Sequence, residues 1–298
     1  YMCRQSLKNF LGGHEALVDR HSDEGISVAE AKNLLKKLAD LKVVDPACGS
    51  GAYLVGMLHE LDEIMRVLDT AADKKSPRDE YQRKLDIIER NLYGVDIEPI
   101  AINLARLRLW LSLVVEFEGN DPPPLPNLDF KIELGNSLLE QLFGHYVQLG
   151  EVGQMENARP LIEELKQAKA KYFLLRVPDK KREAEVQILD LQIRLAEIMV
   201  ERKLSTLSQQ TKSSADIFEG ISASDRKAAE AQQGRIDFWN NLKTKVAEAS
   251  RELKRIRDRA QVYNSPQSGG LCRRLLESED SPSFFWRIDF ADVFQDRG

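Results

Sequence analysis

A dozen residues constrain this chain more than any others: Val43-Val44-Asp45-Pro46-Ala47-Cys48-Gly49-Ser50-Gly51-Ala52-Tyr53-Leu54. A β-branched pair runs into an Asp-Pro corner, a small-residue turn with two glycines follows, and an apolar helix then begins. Strand, tight loop and helix start in that order bring backbone N–H groups and a helix dipole close to a ligand. Glycine permits the backbone conformations that such a close approach needs, and the small Ala47 and Ser50 leave room beside it.

Two kinds of ligand compete for such a loop. A dinucleotide fingerprint requires Gly-x-Gly-x-x-Gly, with an acid about 20 residues further on. Here the third glycine position holds Leu54, and the next acid at a strand end is Asp96. The loop also carries its own carboxylate, Asp45, which repels a pyrophosphate by roughly 1 kcal/mol or more at partly screened distances. A ligand with an ammonium and a sulfonium is attracted instead. S-adenosylmethionine has both charges and no phosphate, and the loop chemistry favours it.

Asp45-Pro46-Ala47-Cys48-Gly49-Ser50-Gly51 resembles the first cofactor motif of amino-group DNA methyltransferases. The resemblance is closest to the adenine-N6 enzymes of type IIG/IIS restriction–modification proteins and related phage-defence methyltransferases. A second segment, Asn91-Leu92-Tyr93-Gly94-Val95-Asp96-Ile97-Glu98-Pro99, reads as a strand ending in an acid, then a helix from about Pro99 to Glu116. Proline suits the first turn of that helix, where its missing N–H costs nothing. An ionised aspartate is acceptor-only, and the resemblance makes Asp96 the acceptor for both ribose hydroxyls of the cofactor. It sets Ile97 against the adenine ring, while Glu98 reads as a charge at a helix start. A third segment, Leu128 to Leu134, alternates apolar and polar residues at the strand period. Gly135-Asn136-Ser137 then turns, and the resemblance puts Asn136 and Ser137 at the adenine edge; a plain turn asparagine is the competing reading. The cofactor-binding set is therefore Asp45, Pro46, Ala47, Cys48, Gly49, Gly51, Asp96, Ile97, Asn136 and Ser137.

Amino-methyltransferases hold a flipped base with an Asn/Asp-Pro-Pro-aromatic tetrapeptide. Nothing after Ser137 matches it. Asp121-Pro122-Pro123-Pro124 precedes the third strand and has proline where the stacking ring belongs, so it reads as a stiff loop. The closing stretch Phe284 to Gly298 is similar to the one preceding the catalytic motif in the family, and the chain opens on Tyr1 rather than Met. Both ends lead us to expect part of a longer protein, with no catalytic residue in this chain and no turnover by it alone.

Composition sets further bounds. Three separated cysteines give no disulfide or metal framework, and Cys48 reads as a compact filler without a neighbouring base. The four histidines show no ligand spacing, so no metal is expected. No membrane span or signal segment is visible, which reads as a reduced, cytoplasmic protein. The net charge of −5 is a poor match for a nucleic-acid surface. Double-stranded DNA is thus expected as a partner of the parent protein and weakly or not at all of this piece.

Residues 151–260 differ from the rest: they sum to about +4 and carry heptad spacing three times. One seam runs Leu161, Leu165, Ala168, Tyr172, Leu175, and a second Val186, Leu189, Ile193, Ala196. The third runs Trp239, Leu242, Val246, Ala249, Leu253, Ile256. Pro178 is expected to part the first two helices. The Ser/Gln-rich stretch Ser205 to Ser214 is expected to end the second, with a short helix near Ala228. Arg251, Lys254, Arg255, Arg257 and Arg259 are candidates for phosphate contact, against the alternative of a solvated, salt-bridged face.

The fold expected is α/β: a partial doubly wound, Rossmann-like S-adenosylmethionine-dependent methyltransferase sheet with a long α-helical insertion. Residues 1–140 form the N-terminal half of the methyltransferase domain, 141–262 the coiled-coil-like insertion, and 263–298 the return segment. Strands near Lys42–Asp45, Leu92–Asp96 and Phe130–Leu134 take the order 3-2-1. Phe284–Phe290 or a neighbouring chain is expected over the open edge of the first strand. The function implied is cofactor binding within a site-specific adenine-N6 methyltransferase. The alternative is an interaction module with a vestigial pocket, its insertion docking a nuclease or specificity partner; a methyltransferase acting on RNA or protein is a third.

Overall fold

The computed structural model describes residues 1–72, 79–117, 126–138, 141–142, 145–146, 157–215, 223–259, 286–290 and 293. The chain divides into two compact units, Tyr1–Ser137 and Leu138–Gly298.

In the first unit, β1 (Val43–Asp45), β2 (Leu92–Asp96) and β3 (Ile132–Leu134) form a parallel sheet with β2 in the middle. Val44 pairs with Tyr93, and Asp96 with Leu134. Leu92 through Val95 are buried on both faces, as the central strand of a covered parallel sheet must be. The strand order is the one expected, but β3 starts later than its alternation suggests. Lys131 and Ile132 both donate backbone N–H bonds to the Leu128 carbonyl, at 3.0 and 2.9 Å. This closes a turn where Leu128–Lys131 reads as strand, because alternation records burial and does not test backbone pairing.

Helices α1 (Met2–Leu11), α2 (Glu15–Arg20) and α3 (Val28–Ala39) precede the sheet. Between β1 and β2 lie α4 (Ala52–Ala72) and α5 (Glu80–Arg90), and α6 (Pro99–Val114) leads towards β3. Ser27 caps α3 by accepting from the Glu30 N–H (3.3 Å), and Asp79 caps α5 through Gln82 (3.3 Å). α4 is the pivot. Leu54, Met57, Leu58, Leu61, Ile64 and Leu68 repeat at helical spacing and are almost wholly buried, against α3, α5, α6 and β2. Asn91 Nδ2 donates to the carbonyls of Leu38 (2.8 Å) and Leu41 (2.6 Å), tying the end of α3 to the start of β2. A buried ion pair joins α4 to α5, with Arg83 Nε at 2.8 Å from Asp62 Oδ1.

The second unit is a helical assembly: α7 (Arg159–Phe173), α8 (Pro178–Ala215) and α9 (Ala223–Arg259). α8 packs against both of the others, and the predicted seams supply its core: Leu165, Tyr172, Leu189, Ala196, Leu242, Val246 and Leu253 are buried. Pro178 opens α8, where proline is tolerated. Two expectations need correction. α8 continues through Ser205 to Ser214, and residues around Ala228 belong to the same continuous α9. Leu204 and Leu207 extend the buried seam, and the hydroxyls of Ser205 and Thr206 donate back to the Arg202 carbonyl at 2.8 and 3.0 Å. Side chains that bond their own helix do not end it. A two-residue antiparallel pair, β4 (Gln141–Leu142) with β5 (His145–Tyr146), lies where only helix is expected.

The described part of the closing aromatic stretch belongs to the helical unit. Its short helix α10 (Trp286–Asp289) packs on α8. Gln192 Nε2 donates to Asp289 Oδ1 (3.0 Å), Lys169 Nζ donates to the Asp289 carbonyl, and Ile288 and Phe290 are buried. Phe290 is thus held within the helical unit, with the Lys169 ammonium over its ring. Asp121–Pro124 and residues 263–285 lie outside the described residues.

Candidate functional site

The three predicted motifs meet at the C-terminal ends of the strands. β1 ends at Asp45, whose Oδ1 accepts from the Ala47 N–H (3.2 Å), so the Asp-Pro corner is an Asx turn. Pro46 and Ala47 are exposed. The chain then returns to β2: the Cys48 N–H donates to the Val95 carbonyl (2.9 Å) and the Gly49 N–H to Asp96 Oδ2 (2.8 Å). The Gly51 N–H closes the turn on the Cys48 carbonyl (2.8 Å). Gly49 and Gly51 have φ of +52° and +80°, values that L side chains adopt only with strain. α4 opens directly behind at Ala52, with the orphan N–H groups of its first turn next to the loop.

Gly94 explains why the loop lies so close to β2. A Cβ there would sit 2.9 Å from Leu54 Cδ1 and 3.1 Å from Cys48 Sγ. Cys48 is therefore the plug between loop and sheet. It is 5% exposed, and burial with Asp45 and Asp96 nearby pushes its thiol up to about 12. A thiol so held is a filler rather than a nucleophile.

Asp96 links everything. Its Oδ2 holds Gly49, its Oδ1 accepts from the Glu98 N–H (2.9 Å), and its carbonyl accepts from the Gly135 N–H (2.9 Å). One residue thus joins the loop, the start of α6 and the turn after β3 that carries the half-buried Asn136 and Ser137. Ile97 is 60% exposed beside it. Glu98 is the N-cap of α6, its Oε1 accepting from Ile100 (3.4 Å). Asp45 feels a negative surround: burial first, and then the Asp96 charge, hold its carboxyl above the ordinary aspartate range, with the Ala47 N–H opposing.

Two arginines of α6 complete the setting, and sequence reasoning misses both. Arg106 bonds the Ile132 carbonyl (2.6 Å) and pairs with Asp129 (3.0 Å), fixing β3. Arg108 Nη1 donates to Ser50 Oγ (2.9 Å) and the Ser50 carbonyl (3.4 Å). No local signal identifies an arginine whose partners lie 23 and 26 residues away, as for Arg106, or 58, as for Arg108.

The arrangement defines an α/β unit with a glycine loop, two carboxylates and an exposed apolar residue at its strand tips. Residues 21–120 match the family described as MmeI, DNA-methyltransferase domain. Over 150 residues the chain is 35% identical to the putative type II restriction enzyme and methyltransferase RM.MjaORFECS2P of Methanocaldococcus jannaschii, covering 48% of this chain and 12% of that protein. It is 28% identical over 116 residues to the type II restriction enzyme and methyltransferase RM.Eco57I of Escherichia coli, covering 35% and 12%. It is also 33% identical over 73 residues to the adenine-specific methyltransferase PglX of Streptomyces coelicolor, covering 24% and 6%. These aligned stretches span at most 12% of the relatives' own lengths. No solved structure matches the chain. These matches agree with the resemblance read from the motifs: this part of the chain is similar to the methyltransferase part of type II restriction–modification enzymes.

Proposed function

We propose that the first unit is the cofactor-binding part of a DNA adenine-N6 methyltransferase, with a Rossmann-like sheet holding S-adenosylmethionine at its strand tips. The observation that carries this reading is Asp96. Each of its carboxylate oxygens accepts one backbone N–H bond. An ionised carboxylate oxygen keeps a further acceptor site, so one per oxygen remains for a pair of ribose hydroxyls.

The other residues fit the same group. Ile97 offers an exposed apolar surface to an adenine ring. Among the described residues a Cβ on Gly49 would meet nothing within 4 Å, so the loop borders open space there. Asp45 is a carboxylate strained by burial and by Asp96, and a sulfonium or ammonium relieves that strain. Bound there, the cofactor supplies an electrophilic methyl group. Asp96 and Ile97 orient it, and the loop backbone encloses it. No residue of this chain is assigned to the target base.

Calorimetric titration of the 298-residue chain with S-adenosylmethionine tests the reading. Ile97→Ala should weaken binding about fivefold through lost apolar contact, with the unfolding midpoint unchanged. Asp96→Ala should abolish measurable binding. An unaltered protein that takes up no cofactor, or two variants that bind as it does, would sink the assignment.

A further inference from the structure

The loop is held from two sides, and only one belongs to the sheet. Cys48 and Gly49 are tied to β2 through Val95 and Asp96. Gly51 backs onto α6, where a Cβ would lie 3.0 Å from the Ala105 Cβ. Ser50 lies between these anchors. Its side-chain and carbonyl oxygens share a partner, Nη1 of Arg108, one helical turn beyond Ala105 on the same face of α6.

We propose that Arg108 is a positioning residue for cofactor binding, acting through Ser50 to set the backbone of the glycine loop. This rests on the cofactor reading above. Glycines on both sides of Ser50 leave the loop with little conformational resistance of its own. A guanidinium that captures both the carbonyl and the hydroxyl of the intervening residue orients the Ser50–Gly51 peptide unit and holds the Ser50 side chain. Ala105 limits how close the loop comes to α6, and Arg108 stops it from moving away. Arg108 itself is exposed, so its removal leaves no cavity and no buried charge, and its effect is confined to the loop.

Four variants of the full 298-residue chain test this: Arg108→Gln, Arg108→Lys, Ser50→Ala, and Ser50→Ala with Arg108→Gln. Two readouts are needed: amide hydrogen exchange of residues 48–54 without ligand, and calorimetric binding of S-adenosylmethionine. Arg108→Gln should speed exchange at Gly49–Gly51 and weaken binding, each by about three- to tenfold, as expected for a charged donor at the surface. Ser50→Ala keeps the carbonyl contact and should do less. The double variant should be no worse than Arg108→Gln, and Arg108→Lys should recover part of both effects. The urea midpoint should stay at the parent value throughout. Unchanged loop exchange in Arg108→Gln, or effects of Ser50→Ala and Arg108→Gln that simply add, would overturn the proposal. If no protein, the parent included, binds cofactor while Arg108→Gln still loosens the loop, the cofactor reading fails and the loop contact stands.

Discussion

Replacing the two loop glycines by alanine separates backbone strain from steric contact. Both have positive φ, +52° at Gly49 and +80° at Gly51. An L residue in the left-handed region costs about 1–2 kcal/mol, partly offset by about 0.4–1 kcal/mol because alanine has fewer unfolded conformations than glycine. Gly49→Ala should therefore cost about 1 kcal/mol, since its Cβ meets nothing within 4 Å among the described residues. Gly51→Ala carries the same strain and adds a Cβ 3.0 Å from Ala105 Cβ and 3.1 Å from Ala105 Cα. Overpacking of that kind costs about 1–3 kcal/mol, and a backbone atom yields less than a side chain. The expected total is about 2–4 kcal/mol. Ala105→Gly sharpens the test: it removes the nearer contact and leaves the Cα. It should recover roughly 1 kcal/mol in the Gly51→Ala background and add independently to Gly49→Ala. The assay is urea-dependent hydrogen exchange at Leu92–Asp96, because the long helices of the second unit dominate far-ultraviolet dichroism. Equal costs for the two glycine variants, or no coupling between Gly51→Ala and Ala105→Gly, would refute the packing of loop against α6.

Asp45→Asn keeps the oxygen that accepts from Ala47 and removes only the charge. The raised carboxyl of Asp45 means that the folded state holds its proton more tightly than the unfolded chain does. Stability from the protonated form is present at low pH and lost as pH rises through the raised value. Asp45→Asn should therefore raise the urea midpoint at pH 7, with the gain fading as pH falls towards 3.8, the ordinary aspartate value; a constant difference across that range contradicts it. At the buried Asp62–Arg83 pair, Asp62→Ala breaks a 2.8 Å ion pair out of water and should cost about 3–5 kcal/mol. Asp62→Leu with Arg83→Met should recover most of that in the same unfolding assay, and a double variant as unstable as the single would contradict it.

The sheet was legible because its signals are local. β2 reads off at both ends from a short run closed by an acid, and the start of α6 from a proline with an acidic charge before it. The helical seams were legible for the same reason, since heptad spacing reports which side faces a neighbour. Errors came where a residue's partner decides its conformation. Ser205 and Thr206 look like linker residues until their hydroxyls are seen bonding the preceding turn.

The site divides along the same line. Which residues surround the loop was readable, because the strand-loop-helix order places Asp45, Gly49, Gly51 and Asp96 at strand tips whatever the rest of the chain does. What holds the loop in place was not readable. Cys48 fits only because Gly94, on the neighbouring strand, lacks a side chain. Gly51 is needed for its φ and also because Ala105 occupies the space its Cβ would take. Each of these pairs joins residues about 46 to 54 positions apart, so neither member signals the other in a linear reading. It follows that substitutions in β2 or α6 can disable this loop without touching any residue of its motif. Gly94→Ala is the clearest instance, since it would drive Cys48 outward and pull Gly49 from Asp96 while leaving all seven motif residues, Asp45 to Gly51, unchanged.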